Sequence, residues 1–231
     1  MSRKPNLALL QKTIGYQFND LSLLKQALTH RSAHHLHNER LEYLGDAVLG
    51  HVIALELFQK FPKADEGQLS RLRAFLVKEK ALSEIAKELN FSDFLILGSG
   101  ELKSGGFRRD SILSDTFEAI IGAVKLDSDF ETTQSFILNL YQNKISQLSL
   151  KMAQKDPKTR LQEWLQARGQ KTPEYEVIKE AGKDHAKKYW VECQIEYQDT
   201  SIQGQGASRR KAEQDAASKA IEELQIDKKT K

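Results

Sequence analysis

The stretch Asn38-Glu39-Arg40-Leu41-Glu42-Tyr43-Leu44-Gly45-Asp46-Ala47 sets a row of acidic residues inside an otherwise apolar helical pattern. At about 100° per residue, Glu39, Glu42 and Asp46 fall within an arc of roughly 60° on one face of a helix. Helices that are apolar over most of their circumference are usually buried. Carboxylates beside a dry interior are costly unless a positive group meets them. The stretch therefore predicts a buried helix with one acidic stripe that needs a cation beside it.

A second acidic cluster, Ser114-Asp115-Thr116-Phe117-Glu118-Ala119, has the same character. Asp115 and Glu118 are i, i+3 neighbours on one helix face, and Glu118 is the only charged residue from Phe117 to Val124. Hard divalent cations prefer carboxylate oxygens as ligands. The two clusters together favour a metal site.

Helix capping is the alternative explanation for each cluster taken alone. Asp115 and Glu118 have the spacing of a capping box, and acids in a first turn favour the helix dipole. The pair Asp65-Glu66, which precedes an apolar run, also predicts a helix start. Capping does not account for Glu42 or for Asp46, which lies two turns into its helix. A metal site accounts for all of these acids.

The bulk composition describes an ordinary globular protein of 231 residues, with 39% hydrophobic and 29% charged residues. A single cysteine, Cys193, excludes an intrachain disulfide and a Cys-rich zinc site. The sequence contains no apolar run of about 18 residues and no apolar segment typical of a signal peptide near Met1. We therefore expect a cytoplasmic protein without a membrane span.

The net charge of +3 does not by itself predict a nucleic-acid partner. Residues 1–150 have a net charge of zero and residues 151–231 a net charge of +3. A polyanionic partner must therefore be argued from local clusters of basic residues.

The pattern of apolar residues divides the chain into two parts. The first part, from about residue 5 to residue 148, has helical spacing throughout, and the predicted helices include 41–58, 67–89, 111–126 and 130–148. Residues 149–156 are polar and weakly patterned, which is typical of a linker.

Beyond the linker the period changes. An amphipathic helix is predicted from Pro157 to Ala167, a strand from Tyr175, a strictly alternating strand over 189–197 and a third strand over 202–207. Alanines at helical spacing then predict a closing helix. This α-β-β-β-α order in about 70 residues is small but able to fold alone.

The chain resembles the bacterial ribonuclease III family, which cleaves double-stranded RNA. The stretch 38–46 matches the family signature, and the resemblance covers nearly the whole chain. It implies an all-α endonuclease domain over 5–128 with helix extending to about 148, a linker over 149–155 and an α+β double-stranded-RNA-binding domain over 156–225. Three further stretches match the family in the same order: 65–67, 100–109 and 115–119.

By position, the resemblance implies that Glu42, Asp46, Asp115 and Glu118 hold Mg²⁺, with Asp46 and Glu118 as the catalytic pair. Mn²⁺ is expected to substitute for Mg²⁺, and no small-molecule organic cofactor is expected. Two metal ions flanking a phosphodiester can activate water and stabilise both the attacking and the leaving oxygen. Products with 5′-phosphate and 3′-hydroxyl ends are implied. Glu39 and Glu66 match auxiliary acids of the cleavage valley.

A homodimer is also expected. Apolar residues such as Leu41 and Leu44 lie on the side of the predicted helix opposite the acids, and Tyr43 flanks the acidic row where the family often has phenylalanine. A two-fold dimer presents one acidic site to each strand of a duplex.

Three cations open the last helix although they oppose the helix dipole there, which indicates an anionic partner. Residues 206–213 resemble the basic motif of the double-stranded-RNA-binding domain, where a lysine is frequent at the position of Glu213. The resemblance implies contacts to 2′-hydroxyls and phosphates along the duplex from Thr159, Gln162, Glu163, His185, Arg209, Arg210 and Lys211.

Two other signals predict little chemistry. Four histidines between His30 and His37 match no zinc-binding pattern and predict a solvated loop. The glycine-rich stretch 98–106 lacks the features of a phosphate-binding loop, and Arg108 and Arg109 after it are read equally well as RNA contacts or as a solvated basic pair.

We therefore expect a magnesium-dependent endoribonuclease acting on structured ribosomal and messenger RNA precursors. The alternative from another class is a non-catalytic protein that binds double-stranded RNA, and a third reading is a helical metal phosphohydrolase acting on nucleotides. The complete set of acidic residues argues against the non-catalytic protein, and the second domain argues against the phosphohydrolase.

Overall fold

The computed structural model describes residues 5–153, 155–182, 187–196 and 200–226. The chain forms two compact units, Met1–Ala153 and Gln154–Lys231. The described residues of the first unit, 5–153, form eight α-helices: α1 Leu7–Ile14, α2 Leu21–Ala27, α3 Glu39–Lys60, α4 Glu66–Val77, α5 Glu79–Glu88, α6 Ser99–Lys103, α7 Asp110–Asp127 and α8 Phe130–Ser146. The predicted all-α fold of this region is confirmed.

Helix α7 is the centre of the first unit and is buried on nearly all sides. Its buried apolar residues between Leu113 and Val124 lie in the core with Leu49 and Ile53 of α3. Helix α3 packs along it at very short range. A Cβ atom on Gly45 would collide with the backbone carbonyl oxygen of Glu118, and one on Gly122 would collide with that of Leu41. The two backbones therefore touch because neither glycine has a side chain.

The helix predicted over 67–89 is two helices, and that prediction is corrected here. Lys78 is extended, with φ −69° and ψ 149°, and separates α4 from α5. Both helices bury apolar faces in the same core, through Leu72 and Leu76 on one side and Leu82 on the other. The apolar spacing therefore continues across a backbone break that the pattern does not reveal.

The first unit ends in a 3₁₀ helix, Leu150–Ala153, that packs on its own helices. Ala153 is fully buried in the helical core, and its carbonyl oxygen accepts a hydrogen bond from Nε of Arg71 at 2.6 Å. The stretch predicted as a linker, 149–155, therefore includes a turn that is anchored to α4.

The second unit places two helices, α9 Pro157–Gln166 and α10 Arg209–Glu223, with a three-stranded sheet. The strands β1 Glu174–Ala181, β2 Lys188–Ile195 and β3 Thr200–Gly206 are antiparallel in the order β1-β2-β3. The alternation predicted for the second strand over 189–197 is confirmed as far as Ile195, since Val191, Cys193 and Ile195 are buried, and residue 197 lies outside the described residues. The α-β-β-β-α order is confirmed as well.

Gly204 and Gly206 let β3 approach α10 closely. A Cβ atom on Gly204 would collide with the backbone nitrogen of Ala216 and the carbonyl oxygen of Ala212. A Cβ atom on Gly206 would collide with the backbone nitrogen of Ala212. These glycines weaken a strand pattern in the sequence, but in the fold they allow the strand to lie directly against the helix. No helix in the described part of the chain is long and apolar enough to cross a membrane.

Candidate metal centre and nucleic-acid interface

Three carboxylates from two helices converge in the first unit. Glu42 of α3 and Asp115 and Glu118 of α7 each offer one oxygen, and these oxygens lie within 4.8 Å of one another. All three side chains are half-buried. The group forms where Gly45 brings the backbones of α3 and α7 together.

Capping does not explain the acids of α7. This helix begins at Asp110, so Asp115 and Glu118 lie in its second and third turns. The alternative is therefore wrong for these two residues, because a capping box requires the helix to begin just before Asp115. It is right for Asp65, whose side chain accepts from the backbone of Gln68 in a complete capping box at the start of α4.

The electrostatics of the cluster call for a positive charge. Burial, reinforced by the charges of Asp46, Glu42 and Asp115, raises the pKa of Glu118 to about 8. Burial also raises the pKa of Glu42, and Asp115, Glu39 and Asp46 add to that effect. Burial is the largest cause that raises the pKa of Asp115. Carboxylates that repel one another in a half-dry site suit a divalent cation, which removes both costs at once.

The other predicted acids lie outside this trio. Asp46 is exposed one turn beyond Glu42 on α3, and its charge reaches Glu118. Glu39 is exposed and pairs with Arg31, with 3.2 Å between Oε1 and Nη1. Glu66 is exposed at the start of α4 and accepts a hydrogen bond from Oγ of Ser70 at 2.7 Å. The fold therefore brings three of the four predicted metal ligands together, and the auxiliary acids are not part of that group.

A groove of about 620 Å³ adjoins the cluster. Its lining includes Glu42 and Asp115 together with the cations Arg31 and Arg109. Nη1 of Arg109 lies 2.8 Å from Oε1 of Glu101, so the guanidinium is held in place. Glu101 is a residue that sequence reasoning missed, because it belongs to the short helix α6 and no spacing relates it to the acidic clusters.

The histidine stretch does not form a metal site in the described residues. Carboxylates alone make up the candidate metal group found there. His30 instead stabilises the loop, since its ring nitrogen Nδ1 lies 2.8 Å from Oγ of Ser32. The predicted loop is confirmed, since residues 30–37 form neither helix nor strand and are half-buried or exposed.

In the second unit, the predicted RNA contacts are surface residues of the two helices. On α9, Thr159, Gln162 and Glu163 are exposed at the spacing of one helix face. On α10, the basic residues Arg209, Arg210 and Lys211 are exposed in the first turn, after Ser208, whose side chain caps the helix. His185 lies outside the described residues.

Glu213 stands where the family of RNA-binding domains often has lysine. Its side chain forms ion pairs within the second unit. Its carboxylate lies 2.7 Å from Nζ of Lys158 on α9 and 3.1 Å from Nε of Arg209 on α10. The i, i+4 spacing on α10 is the sequence signal for the pair with Arg209, but the sequence offers no signal for Lys158, which is distant along the chain.

Comparisons with known proteins match both units. A family model described as Ribonuclease-III-like matches residues 20–145, and one described as Double-stranded RNA binding motif matches residues 157–224. The chain is 53% identical to Ribonuclease 3 of Pasteurella multocida over 221 residues, which are 96% of this chain and 98% of that protein. It is also 53% identical to Ribonuclease 3 of Idiomarina loihiensis, over 96% of this chain and 97% of the relative.

A solved structure agrees with the first unit. The crystal structure of the nuclease domain of ribonuclease III from Campylobacter jejuni superimposes with a TM-score of 0.60 and 46% identity, covering 62% of this chain and 99% of that one. A second structure of the same domain, with the same TM-score and identity and covering 61% and 99%, is described as showing structural flexibility in a region involved in dimer formation.

Proposed function

Because this chain belongs to the ribonuclease III family and is an endoribonuclease acting on double-stranded RNA, we propose that Glu42, Asp46, Asp115 and Glu118 bind the metal ions of the cleavage reaction. The observation that carries this proposal is the convergence of three carboxylates from α3 and α7 within 4.8 Å. Oxygen donors of this kind suit Mg²⁺, with Mn²⁺ as a substitute. No organic cofactor is proposed.

When bound, the metal ions would polarise the scissile phosphate and lower the pKa of a coordinated water. The protein's part is to hold the ligands in place before the RNA arrives. Glu42 and Glu118 are fixed by the contact between α3 and α7, and Asp46 is positioned one turn along α3 to complete the set. Asp46 and Glu118 are the proposed catalytic pair. Hydrolysis in this site leaves 5′-phosphate and 3′-hydroxyl ends.

The auxiliary acids Glu39 and Glu66 are proposed to face the RNA rather than the metal. Glu39 lines the groove beside the cluster and is bonded to Arg31. In this position it can orient that arginine toward a phosphate. Glu66 lies at the first turn of α4, where it accepts a hydrogen bond from Ser70.

We propose that the enzyme works as a homodimer. Tyr43 on α3 is 81% exposed, and Leu126 at the end of α7 is 58% exposed. A mainly apolar hollow of about 560 Å³ adjoins them, and Leu41 and Leu44 line it. A protruding ring beside an apolar hollow is self-complementary across a two-fold axis, where each ring can enter the partner's hollow. The Campylobacter domain, which has a region involved in dimer formation, supports this arrangement.

The second unit is proposed to bind the duplex through the exposed residues of α9 and of the first turn of α10. Thr159, Gln162 and Glu163 would contact 2′-hydroxyls, and Arg209, Arg210 and Lys211 would contact phosphates. His185 completes the set by resemblance alone. The proposed boundaries remain 5–128 for the nuclease domain, with helix extending to about 148, then 149–155 for the linker and 156–225 for the RNA-binding domain.

Structured precursors of ribosomal and messenger RNA in the cytoplasm are the proposed substrates. Such RNA molecules contain long duplexes, which an RNA-binding domain that recognises duplex shape requires.

A cleavage assay on one labelled duplex tests the proposed metal chemistry. The protein is stripped with a chelator and then assayed with Mg²⁺, Mn²⁺ or Ca²⁺, and the ends of the products are mapped. Cleavage is expected with the first two ions and only binding with Ca²⁺, which tolerates a looser geometry. Cleavage that persists in the chelator would overturn the metal mechanism. Binding without cleavage under every condition would favour the non-catalytic alternative.

A further inference from the structure

The basic first turn of α10 is tied to α9 by one acidic side chain. The carboxylate of Glu213 lies 2.7 Å from Nζ of Lys158 and 3.1 Å from Nε of Arg209. The Glu213 side chain is only 14% exposed, whereas that of Arg209 is 64% exposed. A half-buried anion therefore holds a cation whose side chain is largely exposed to solvent.

Lys158 is held on a second side as well. Its ammonium nitrogen lies 4.2 Å from the centre of the Tyr175 ring on β1, which is a favourable cation–π distance. A neighbouring contact joins the same two helices, because the side-chain nitrogen of Gln214 on α10 donates to the carboxylate of Asp156, the N-cap of α9. Lys158 of α9 therefore contacts both α10 and β1 inside this unit.

Glu213 is charged in this setting. Burial acts to raise its pKa, but the hydrogen bond and charge of Lys158, joined by those of Arg209, outweigh burial and hold the pKa below its usual value. An ionised carboxylate bonded to Nε of an arginine leaves the terminal Nη1 and Nη2 groups to point elsewhere. Those groups are the donors that bind phosphate in a fork.

The duplex demands a fixed spacing between these helices. An RNA-binding domain of this kind contacts 2′-hydroxyls in minor grooves and phosphates across the intervening major groove. The separation of the exposed face of α9 from Arg209 must therefore match a rigid A-form duplex. A contact that links α9 and Arg209 reduces the freedom lost when the RNA binds.

We propose that Glu213 is a positioning residue for RNA binding, which locks α9 to α10 through Lys158 and pre-orients the Arg209 guanidinium toward a phosphate. The inference rests on the proposed function of Arg209. It assigns a favourable role to a negative charge that simple electrostatics would expect to weaken RNA binding. Removing that charge should therefore weaken binding rather than strengthen it.

The test compares Glu213→Gln with Glu222→Gln in the full-length protein, using one duplex in Ca²⁺ for binding and in Mg²⁺ for cleavage. Glu222 is an exposed residue of the same helix, so the control makes the same change in net charge. Glu213→Gln should bind about fivefold more weakly than the control, as expected for one lost polar contact. The KM for the duplex should rise while kcat at saturating RNA stays unchanged, which loss of folded protein would not produce.

Arg209→Ala, alone and combined with Glu213→Gln, identifies the route of the effect. If Glu213 acts through Arg209, its substitution should cost little in the Arg209→Ala background. The salt slope of binding for Glu213→Gln should also move toward that of Arg209→Ala. Binding equal to that of Glu222→Gln, or an unchanged cost without Arg209, would overturn the inference while the role of Arg209 stands. Normal binding by Arg209→Ala would overturn both.

Thermal melting shows whether each variant is folded at the assay temperature. If the Glu213→Gln variant is unfolded at that temperature, the Glu213→Asp variant is used in its place. Aspartate keeps the charge beside Lys158 but is one methylene shorter, so it cannot reach both partners. It should raise KM in the same way, and a KM equal to that of the unmodified protein would overturn the inference.

Discussion

Glu42 and Glu118 belong to different helices, yet their carboxylate oxygens lie within 4.8 Å of each other. Burial and the charges of Asp46, Glu42 and Asp115 together raise the pKa of Glu118 to about 8. Repulsion among half-buried carboxylates lowers the stability of the metal-free fold. The arrangement is explained if a divalent cation is part of the working state.

Changing Glu118 to Gln should reduce cleavage by about a hundredfold or more, because one metal ligand loses its charge and metal stabilisation is worth several kcal/mol. Duplex affinity measured in Ca²⁺ should stay within about twofold, since the second unit supplies the main contacts. Gel-shift and cleavage assays on one duplex measure both quantities. Glu88→Gln, an exposed position at the end of α5, is the charge-matched control. A near-normal rate for the Glu118 variant would remove it from the proposed ligand set.

The stability of the metal-free protein should depend on pH through Glu118. Its folded pKa of about 8 lies above the ordinary value of 4.5, so the folded state holds a proton that the unfolded state has lost between these values. The free energy of unfolding should therefore fall as pH rises from about 4.5 to about 8. Urea unfolding in a chelator at pH 5 and pH 8 measures the fall. Glu118→Gln should flatten it, and parallel profiles for the two proteins would contradict the assignment.

Gly45→Ala should destabilise the protein by about 3 kcal/mol or abolish folding, because the new methyl group collides with the carbonyl oxygen of Glu118. Gly50→Ala is the matched control on the same helix, since nothing lies within 4 Å of its added Cβ. That control should be neutral or stabilising by up to about 1 kcal/mol through helix propensity. Denaturant melts compare the two variants, and equal stabilities would mean that α3 and α7 separate at little cost.

Changing Arg209 and Arg210 together to Ala should weaken binding to all duplexes about equally. Fewer counterions are released, so the slope of log affinity against log salt should fall by about 2. Sequence preference should not change, because phosphates carry no sequence information. Titrations of two unrelated duplexes at four salt concentrations measure both effects. An unchanged slope would place these arginines outside the interface.

Residues 1–153 alone should fold, dimerise and retain weak cleavage that is best at low salt. The truncation keeps Ala153, whose burial and bond to Arg71 complete the helical core. Truncation after residue 148 removes these contacts and should be less stable. Sedimentation reports the dimer and a duplex-cleavage series over salt reports activity. A folded monomer would contradict the two-fold site, and an inactive dimer would show that the second unit is needed for cleavage itself.

The sequence predicts features that depend on residues close together along the chain. It does not predict the contacts that folding makes between distant residues. The acidic stripe of α3 and the change of period after residue 148 follow from spacing alone. Asp115 and Glu118 remained ambiguous because the start of α7 at Asp110 has no strong cap signal, and Arg109 makes no side-chain cap bond. The break at Lys78 was missed because both helices bury the same kind of residue.

The functional pairings were least accessible to sequence. The approach of Gly45 to Glu118 joins residues that are far apart along the chain, and a single glycine in a helix usually indicates only weaker propensity. Glu213 likewise looks like a departure from a basic motif until Lys158 is found beside it. Close backbone contacts and ion pairs of this kind are visible only in the three-dimensional structure.

The contact between β3 and α10 has a genetic consequence. The atoms nearest to a Cβ at position 204 are the backbone nitrogen of Ala216 and the carbonyl oxygen of Ala212. No side-chain substitution removes a backbone atom, and both helical residues are already alanine. A substitution of Gly204 therefore cannot be suppressed by a second substitution at Ala212 or Ala216, the two residues with which the new side chain collides. Evolution of this sequence should therefore keep or restore glycine at position 204 rather than compensate its loss at Ala212 or Ala216.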